Sequence, residues 1–284
     1  MDQTKRLLEI LKLEELDTNL YRAQNMTIGT KRVFGGQVLA QALYAAADTV
    51  SEDRFIHSLH AYFILPGNVD KPILYKVDVT RDGGSFSTRR VRAIQNGKDI
   101  FVLASSFQLE QEGLNHQIDM PQVPAPEDLP SDYELARHFG EYIPEYVARM
   151  MEEKPIEFKP VDFPDLYVPM KSKPTQHIWF KYKGELGDDQ HLHRKLMAYA
   201  SDYSLLMTAM RPHEVTIKDL QLASLDHAMW FHRDCRMDDW LLYSLESPSA
   251  SNARGFTRGN IFDRSGRLVA SVAQEGLIRR KRKK

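Results

Sequence analysis

A carboxylate set into an apolar helix is the clearest sign of chemistry in this sequence. The stretch His191 to Met210, HLHRKLMAYASDYSLLMTAM, repeats Leu192, Leu196, Tyr199, Tyr203 and Leu206 at three- and four-residue steps. That spacing predicts one amphipathic helix. Asp202 falls in its middle, about 80° off the centre of the apolar stripe at ~100° per residue. A carboxylate beside a dry face has to be paired, hydrogen-bonded or poised to take a proton, because an isolated buried charge is expensive. Taken alone, Asp202 reads first as a carboxylate on the solvated flank of an amphipathic helix. A second feature is Gly35-Gly36, ahead of the alanine-rich stretch Val38 to Val50. Glycines at a helix start leave backbone N–H groups open to a carbonyl or phosphate oxygen. A tight turn requiring glycine explains them too.

Other candidates carry less. Asp226-His227 has the composition of an acid/base pair, but neighbours on a strand point to opposite faces. Neither His57 with His60 nor His191 with His193 can share a metal ion on its predicted element. No metal and no cofactor is expected. The lone Cys235 excludes an internal disulfide and suits a reducing compartment. No Gly-x-Ser-x-Gly elbow, P-loop or dinucleotide fingerprint is present. Residue types alone give a helix-borne carboxylate and no named reaction.

The elements that must position these residues form a repeat. The chain has 284 residues, 42% hydrophobic and 27% charged, enough for one large domain or two smaller ones. A net charge of −1 argues against a protein that coats nucleic acid. The basic run Arg279 to Lys284 reads as a solvated tail, an anion-steering patch or a nuclear-type signal, and sequence does not choose. Near the start, Asp2, Lys5 and Arg6 leave no room for an apolar leader, and no stretch approaches a membrane span, so a soluble cytoplasmic protein is expected. A short helix at Thr4 to Leu16 and a strand at Leu20 to Met26 precede the alanine-rich helix. Strands then follow at His57–Leu65, Pro72–Thr80, Ser85–Gln95 and Asp99–Gln108, with Asn96-Gly97 as a hairpin turn. Ten of the fourteen prolines lie between Pro121 and Pro174. They mark a connection with one helix, opened by the capping box Ser131 and Glu134. The pattern then restarts: a strand at Gln176–Lys183, the Asp202 helix, and strands at Asp219–Phe231, Trp240–Ser247, Arg254–Phe262 and Leu268–Ile278. Each half reads as strand, long helix and four antiparallel strands, with Ser58-Leu59-His60 standing where Ser224-Leu225-Asp226 stands. An α+β fold of two repeats is expected, with units at 1–115 and 175–284, a connection at 116–174, and any shared site between the halves.

Five motifs, in order, resemble those of the acyl-CoA thioesterase II family. They are Val33-Phe34-Gly35-Gly36-Gln37-Val38, Arg81-Asp82-Gly83-Gly84-Ser85-Phe86, Tyr199-Ala200-Ser201-Asp202, Ser224-Leu225-Asp226-His227-Ala228-Met229-Trp230-Phe231-His232 and Ala273-Gln274-Glu275-Gly276. The resemblance runs essentially end to end and implies a double hotdog, two sheets each wrapped around a long helix. It places the family's active aspartate, serine or threonine, and glutamine on Asp202, Ser224 and Gln274. The implied reaction is hydrolysis of acyl-CoA to fatty acid and CoA, with Asp202 taking a proton from a water held by Ser224 and Gln274. Gly35, Gly36 and Gln37 are expected at the substrate, the first two as possible oxyanion donors. Arg89 and Arg258, with Arg81 and Arg90 as further candidates, are expected at the CoA phosphates. Ser224 and Gln274 can also be read as ordinary strand polar residues, with Asp226, on Ser224's strand face, and Glu275 as rival carboxylates. A hotdog hydratase or dehydratase and a non-catalytic acyl-CoA binding protein are the other functional readings. The partner expected beyond substrate is a second copy, as a homodimer or homotetramer.

Overall fold

Two long helices organise the fold, and one antiparallel sheet wraps both. The computed structural model describes residues 3–138, 154–162 and 171–281. The first half comprises α1 (Gln3–Ile10), β1 (Glu14–Asp17), β2 (Leu20–Ala23), α2 (Gly35–Asp48), β3 (Arg54–Phe63), β4 (Ile73–Asp82), β5 (Phe86–Gln95) and β6 (Lys98–Leu109). The connection carries α3 (Asp132–His138) and β7 (Ile156–Pro160). The second half comprises β8 (Thr175–Tyr182), α4 (Gln190–Ser201), α5 (Leu205–Thr208), β9 (Leu220–Ser224), β10 (Asp226–Phe231), β11 (Leu241–Ser251), β12 (Arg254–Asp263) and β13 (Leu268–Arg280). Neighbouring strands run β1-β2-β4-β5-β6-β3-β10-β13-β12-β11-β8-β7, and β9 pairs with β13. Read from its far side, the second block repeats the path of the first, and the two join where β3 pairs with β10. This is the double hotdog.

Local chemistry explains most elements. On β4, Ile73, Tyr75 and Val77 are buried while Lys76 and Asp78 are exposed, the alternation of a strand with one dry face. Asn96 and Gly97 both adopt positive φ, 53° and 73°, which closes the β5–β6 hairpin. Ser131 opens α3 as expected: its amide donates to Glu134 Oε2 at 2.7 Å and the Glu134 amide donates to Ser131 Oγ at 3.2 Å. Part of the proline-rich connection lies outside the described residues. Met120, Val123 and Leu129 from it pack against the Trp179, Trp240, Leu242 and Phe262 cluster. Among the described residues, no helix is long and apolar enough to cross a membrane.

α2 is buried on nearly every side, and its small residues let α4 come close. Leu39, Ala40, Ala42, Ala45 and Ala46 are all fully buried. The polar exception, Gln41, is satisfied: it donates to the Ile10 and Gln24 carbonyls and accepts from Tyr75 Oη at 2.8 Å. The helices run antiparallel. At one end Gly36 lies beneath Tyr199; at the other, Lys195 Nζ sits 4.7 Å from the Tyr44 ring centre and His191 contacts the Glu52 carbonyl.

Two expected elements are interrupted. The predicted helix from His191 to Met210 stops at Asp202, its C-cap residue, and Ser204 turns the chain at φ 70° before α5 resumes. Ser204 is held there by Gln176 of β8, which donates to the Ser204 carbonyl at 3.0 Å and to Thr208 Oγ1 at 2.6 Å. A hydrogen bond from a neighbouring strand therefore overrides the apolar periodicity that runs through the break. The predicted strand Asp219–Phe231 is likewise divided, because Leu225 is an extra residue against β13. Ser224 pairs with Gly276 and Ala228 with Ala273, so the register slips by one between them.

The helix contact yields a stability test. A methyl group on Gly36 would lie 2.2 Å from the Tyr199 carbonyl oxygen and 2.6 Å from the Phe34 ring. Alanine normally stabilises a helix by up to about 1 kcal/mol over glycine. Here overpacking, worth about 1–3 kcal/mol, should win. Gly36→Ala is expected to lower stability in urea unfolding, and a stabilised variant would contradict the close approach.

Candidate active site

Three elements converge on the Asp202 carboxylate. α4 ends there, with Asp202 as its C-cap residue. β9 brings Ser224, whose hydroxyl donates to Asp202 Oδ1 at 3.5 Å. β13 brings Gln274, whose amide NH2 donates to Ser224 Oγ at 3.0 Å and also bonds the carboxylate. From the other half, the Gly36 amide at the start of α2 donates to the same carboxylate. Gly35 presses against it: a Cβ there would lie 2.6 Å from Asp202 Oδ2. The aromatic rings of Phe34, Tyr199 and Tyr203 pack together beside this point, with centroids 4.4 Å apart for Phe34 and Tyr203.

The electrostatics set two effects against each other. Burial raises the Asp202 carboxyl from its ordinary value, and hydrogen bonds from Gly36, Gln274 and Ser224 hold it down; the balance leaves it at about 7. Asp202 is partly buried as a residue, and loss of hydration is the largest influence on its carboxyl. A group balanced there can accept a proton near neutral pH and give it up again.

A cleft of about 320 Å³ opens beside these residues. Gly35 and Ser224 line it, together with apolar Val38, Phe63, Leu65, Ile100 and Phe101 from the first half and Leu222 and Leu225 from the second. Among the described lining residues, Arg32 is the one cation. The cleft thus lies between the halves.

Asp202, Ser224, Gln274, Gly35 and Gly36 are brought together; the other expected substrate contacts are not. Gln37 is buried and faces away from the cleft, accepting from the Met26 amide at 3.0 Å and donating to Asn25 at 2.7 Å. Arg89 is an interior tie rather than a phosphate ligand. It is 2% exposed, and its guanidinium is used by Thr49, Arg81, Thr88 and Asp82. Arg258 lies on the exposed face of β12, opposite buried Thr257, and pairs with Glu246 at 2.6 Å. Strand alternation hides both facts, because it cannot tell a buried arginine with five hydrogen bonds from a solvated one. The rival carboxylates have other partners. Asp226 accepts the Glu275 amide at 2.7 Å, and Glu275 pairs with Arg254 at 2.9 Å.

His227 is the residue that strand reasoning set aside. The extra residue at Leu225 inverts the alternation, so Ser224 and His227, three apart, share the inner face and Asp226 does not. His227 Nδ1 lies 2.7 Å from Gln274 Oε1. No glycine or proline marks the bulge, so nothing local announces it.

The raised carboxyl has a consequence for stability. With a folded value of about 7 and an unfolded one near 3.9, the folded protein binds more protons between those limits. Stability from this group is therefore present at low pH and falls as pH rises from about 4 to about 7. Asp202→Asn is expected to stabilise the protein at pH 8 by about 1–3 kcal/mol, with the gain shrinking toward pH 4. Chemical unfolding at the two pH values checks this, and a pH-independent difference would contradict it.

Comparison with known proteins agrees with this architecture. Residues 22–108 match the family model described as acyl-CoA thioesterase N-terminal domain, and residues 150–277 match that described as acyl-CoA thioesterase. The chain is 42% identical to acyl-coenzyme A thioesterase 8 of Homo sapiens, over 95% of this chain and 88% of that one. It is 38% identical to acyl-CoA thioesterase 2 of Haemophilus influenzae, over 98% of each. Among solved structures, acyl-CoA thioesterase II TesB2 from Mycobacterium marinum superposes with a TM-score of 0.81 at 42% identity, covering 97% of this chain and 98% of that one. A hot dog fold protein of Alicyclobacillus acidocaldarius gives 0.80 at 16% identity, a likeness of fold alone. The chain belongs to the acyl-CoA thioesterase family.

Proposed function

We propose that this protein hydrolyses fatty acyl-CoA to free fatty acid and CoA by direct attack of water. The observation that carries the reading is the convergence of Asp202, Ser224 and Gln274 beside an apolar cleft, with the carboxyl balanced near neutrality. Ser224 and Gln274 orient a water against Asp202, which takes its proton as oxygen bonds to the thioester carbon. The tetrahedral intermediate collapses by breaking the C–S bond. CoA leaves as thiolate and recovers a proton from Asp202 or solvent, and the acyl group leaves as carboxylic acid. The amide of Gly35, at the start of α2, is assigned to the carbonyl oxygen, where the helix N-terminus favours developing negative charge. The Gly36 amide is already used by Asp202.

The apolar walls suit an acyl chain. Arg32, at the rim, replaces Arg89 and Arg258 as the cation assigned to the CoA phosphates. The hydratase reading would need a histidine paired with Asp202. His227 instead faces Gln274 and Ser201.

Thiol release from palmitoyl-CoA by the purified protein tests the reading. Asp202→Asn is expected to cut kcat by about 10²–10⁴-fold with little change in KM; an undiminished rate would remove Asp202 from the mechanism. For the native protein, kcat/KM should rise with pH and level off above about 7, following the deprotonated carboxylate. Arg32→Ala should raise KM for palmitoyl-CoA about tenfold, the loss of one charge-assisted phosphate contact. It should leave KM for S-palmitoyl-pantetheine, which lacks the phosphates, unchanged. Equal effects on both substrates would rule out a phosphate role.

A further inference from the structure

The polar residues around Asp202 do not end at Gln274. His227 of β10 is fully buried, with Nδ1 2.7 Å from Gln274 Oε1 and Nε2 3.0 Å from Ser201 Oγ. Ser201 immediately precedes Asp202, so the side chains of Ser224, Gln274, His227 and Ser201 close a ring back to the residue that carries the carboxylate. Burial holds the imidazole down at about 4, so at neutral pH it has one N–H to place.

That single proton has two self-consistent positions. With the proton on Nδ1, His227 donates to Gln274 Oε1, the Ser201 hydroxyl turns from the Ala198 carbonyl to donate to Nε2, and the Gln274 NH2 is turned toward Ser224 and Asp202. With it on Nε2, His227 donates to Ser201, whose hydroxyl then donates to the Ala198 carbonyl at 2.9 Å. Nδ1 then has to accept from a flipped Gln274 amide, which leaves the amide oxygen facing Ser224 and the Asp202 carboxylate. The carboxylate repels that oxygen, so its charge selects the first arrangement.

The fold itself does not require this pair. The repeat aligns His227 with Ala61, and the two face each other across the β3–β10 join. Ala61 pairs with Leu103 on β6 as His227 meets Gln274 on β13, and both Ala61 and Leu103 are buried. An apolar pair thus fills this place in the half without the carboxylate. A polar pair occurs only in the half that carries Asp202.

We propose that His227 is a positioning residue whose Nδ1–H holds the Gln274 amide with its NH2 turned toward Ser224 and Asp202. The inference rests on reading Asp202, Ser224 and Gln274 as the reacting site. Without the Nδ1 donor the amide samples both orientations, and in the flipped fraction Ser224 and Asp202 lose the amide donor that holds them in place for the water. His227 touches no substrate in this scheme and acts only through Gln274.

Nitrogen-15 NMR of the histidine-labelled native protein at pH 7 should find His227 as the Nδ1–H tautomer; the Nε2–H tautomer would overturn the proposal whatever the variants do. In thiol release from palmitoyl-CoA, His227→Leu should lower kcat about 10–100-fold with KM little changed. His227→Asn, which can place an amide N–H where Nδ1 was, should recover most of that loss. His227→Leu combined with Gln274→Ala should be no slower than Gln274→Ala alone; multiplied losses would overturn the inference. Gln274→Ala also separates the two readings. If it leaves kcat intact, the site reading fails and this one with it. If it lowers kcat while His227→Leu does not, the His227 inference alone fails.

Discussion

The close antiparallel contact between the start of α2 and the end of α4 is the constraint on which the rest depends. Gly36 under the Tyr199 carbonyl lets two helix ends meet at a distance no side chain would permit. Asp202 then occupies two helix termini at once. It caps the C-terminal end of α4, where the backbone dipole disfavours negative charge, and it accepts the Gly36 amide at the N-terminal end of α2, where the dipole favours it. Each such term is worth about 0.3–1 kcal/mol near a surface. They largely offset, and burial decides the outcome by raising the carboxyl. The position of the Asp202 carboxylate is a product of both halves of the molecule.

The same economy appears in the sheet. The two halves follow one path, yet they differ where β3 and β10 join the neighbouring strands. The first half places Ala61 and Leu103 there, and the second places His227 and Gln274. One extra residue, Leu225, allows this by turning His227 inward three positions after Ser224. A bulge of this kind costs a ladder hydrogen-bond register and returns a side-chain direction. The Leu225 backbone stays satisfied, since its amide donates to the Glu275 carbonyl and its carbonyl accepts from Phe63.

Much was legible in the residues before any coordinates. The repeat, the alanine-rich buried helix, the β5–β6 turn and the Ser131 capping box all follow from periods and local turn chemistry. The five motifs carried the family, and with it Asp202, Ser224 and Gln274, whose mutual contacts no spacing in the sequence implies. Where reading by period went astray, the competing force came from elsewhere in the chain. Gln176 holds Ser204 in a left-handed turn and breaks a helix whose apolar stripe continues. Arg89, which resembles any surface arginine on an alternating strand, is drawn inside by Thr49 and Asp82.

By itself, then, the sequence determined the class of fold, the two-fold repeat and which residue types face the core, because these depend on side-chain periods that are local. Tertiary structure decided that Asp202 is a helix cap rather than a mid-helix residue, and that its carboxyl lies near 7. It also decided that Arg32 rather than Arg89 lines the cleft, and that His227 reaches Gln274. Each of these depends on groups far apart in the chain, and hydrogen bonding, desolvation and close approach act only once folding has brought those groups together.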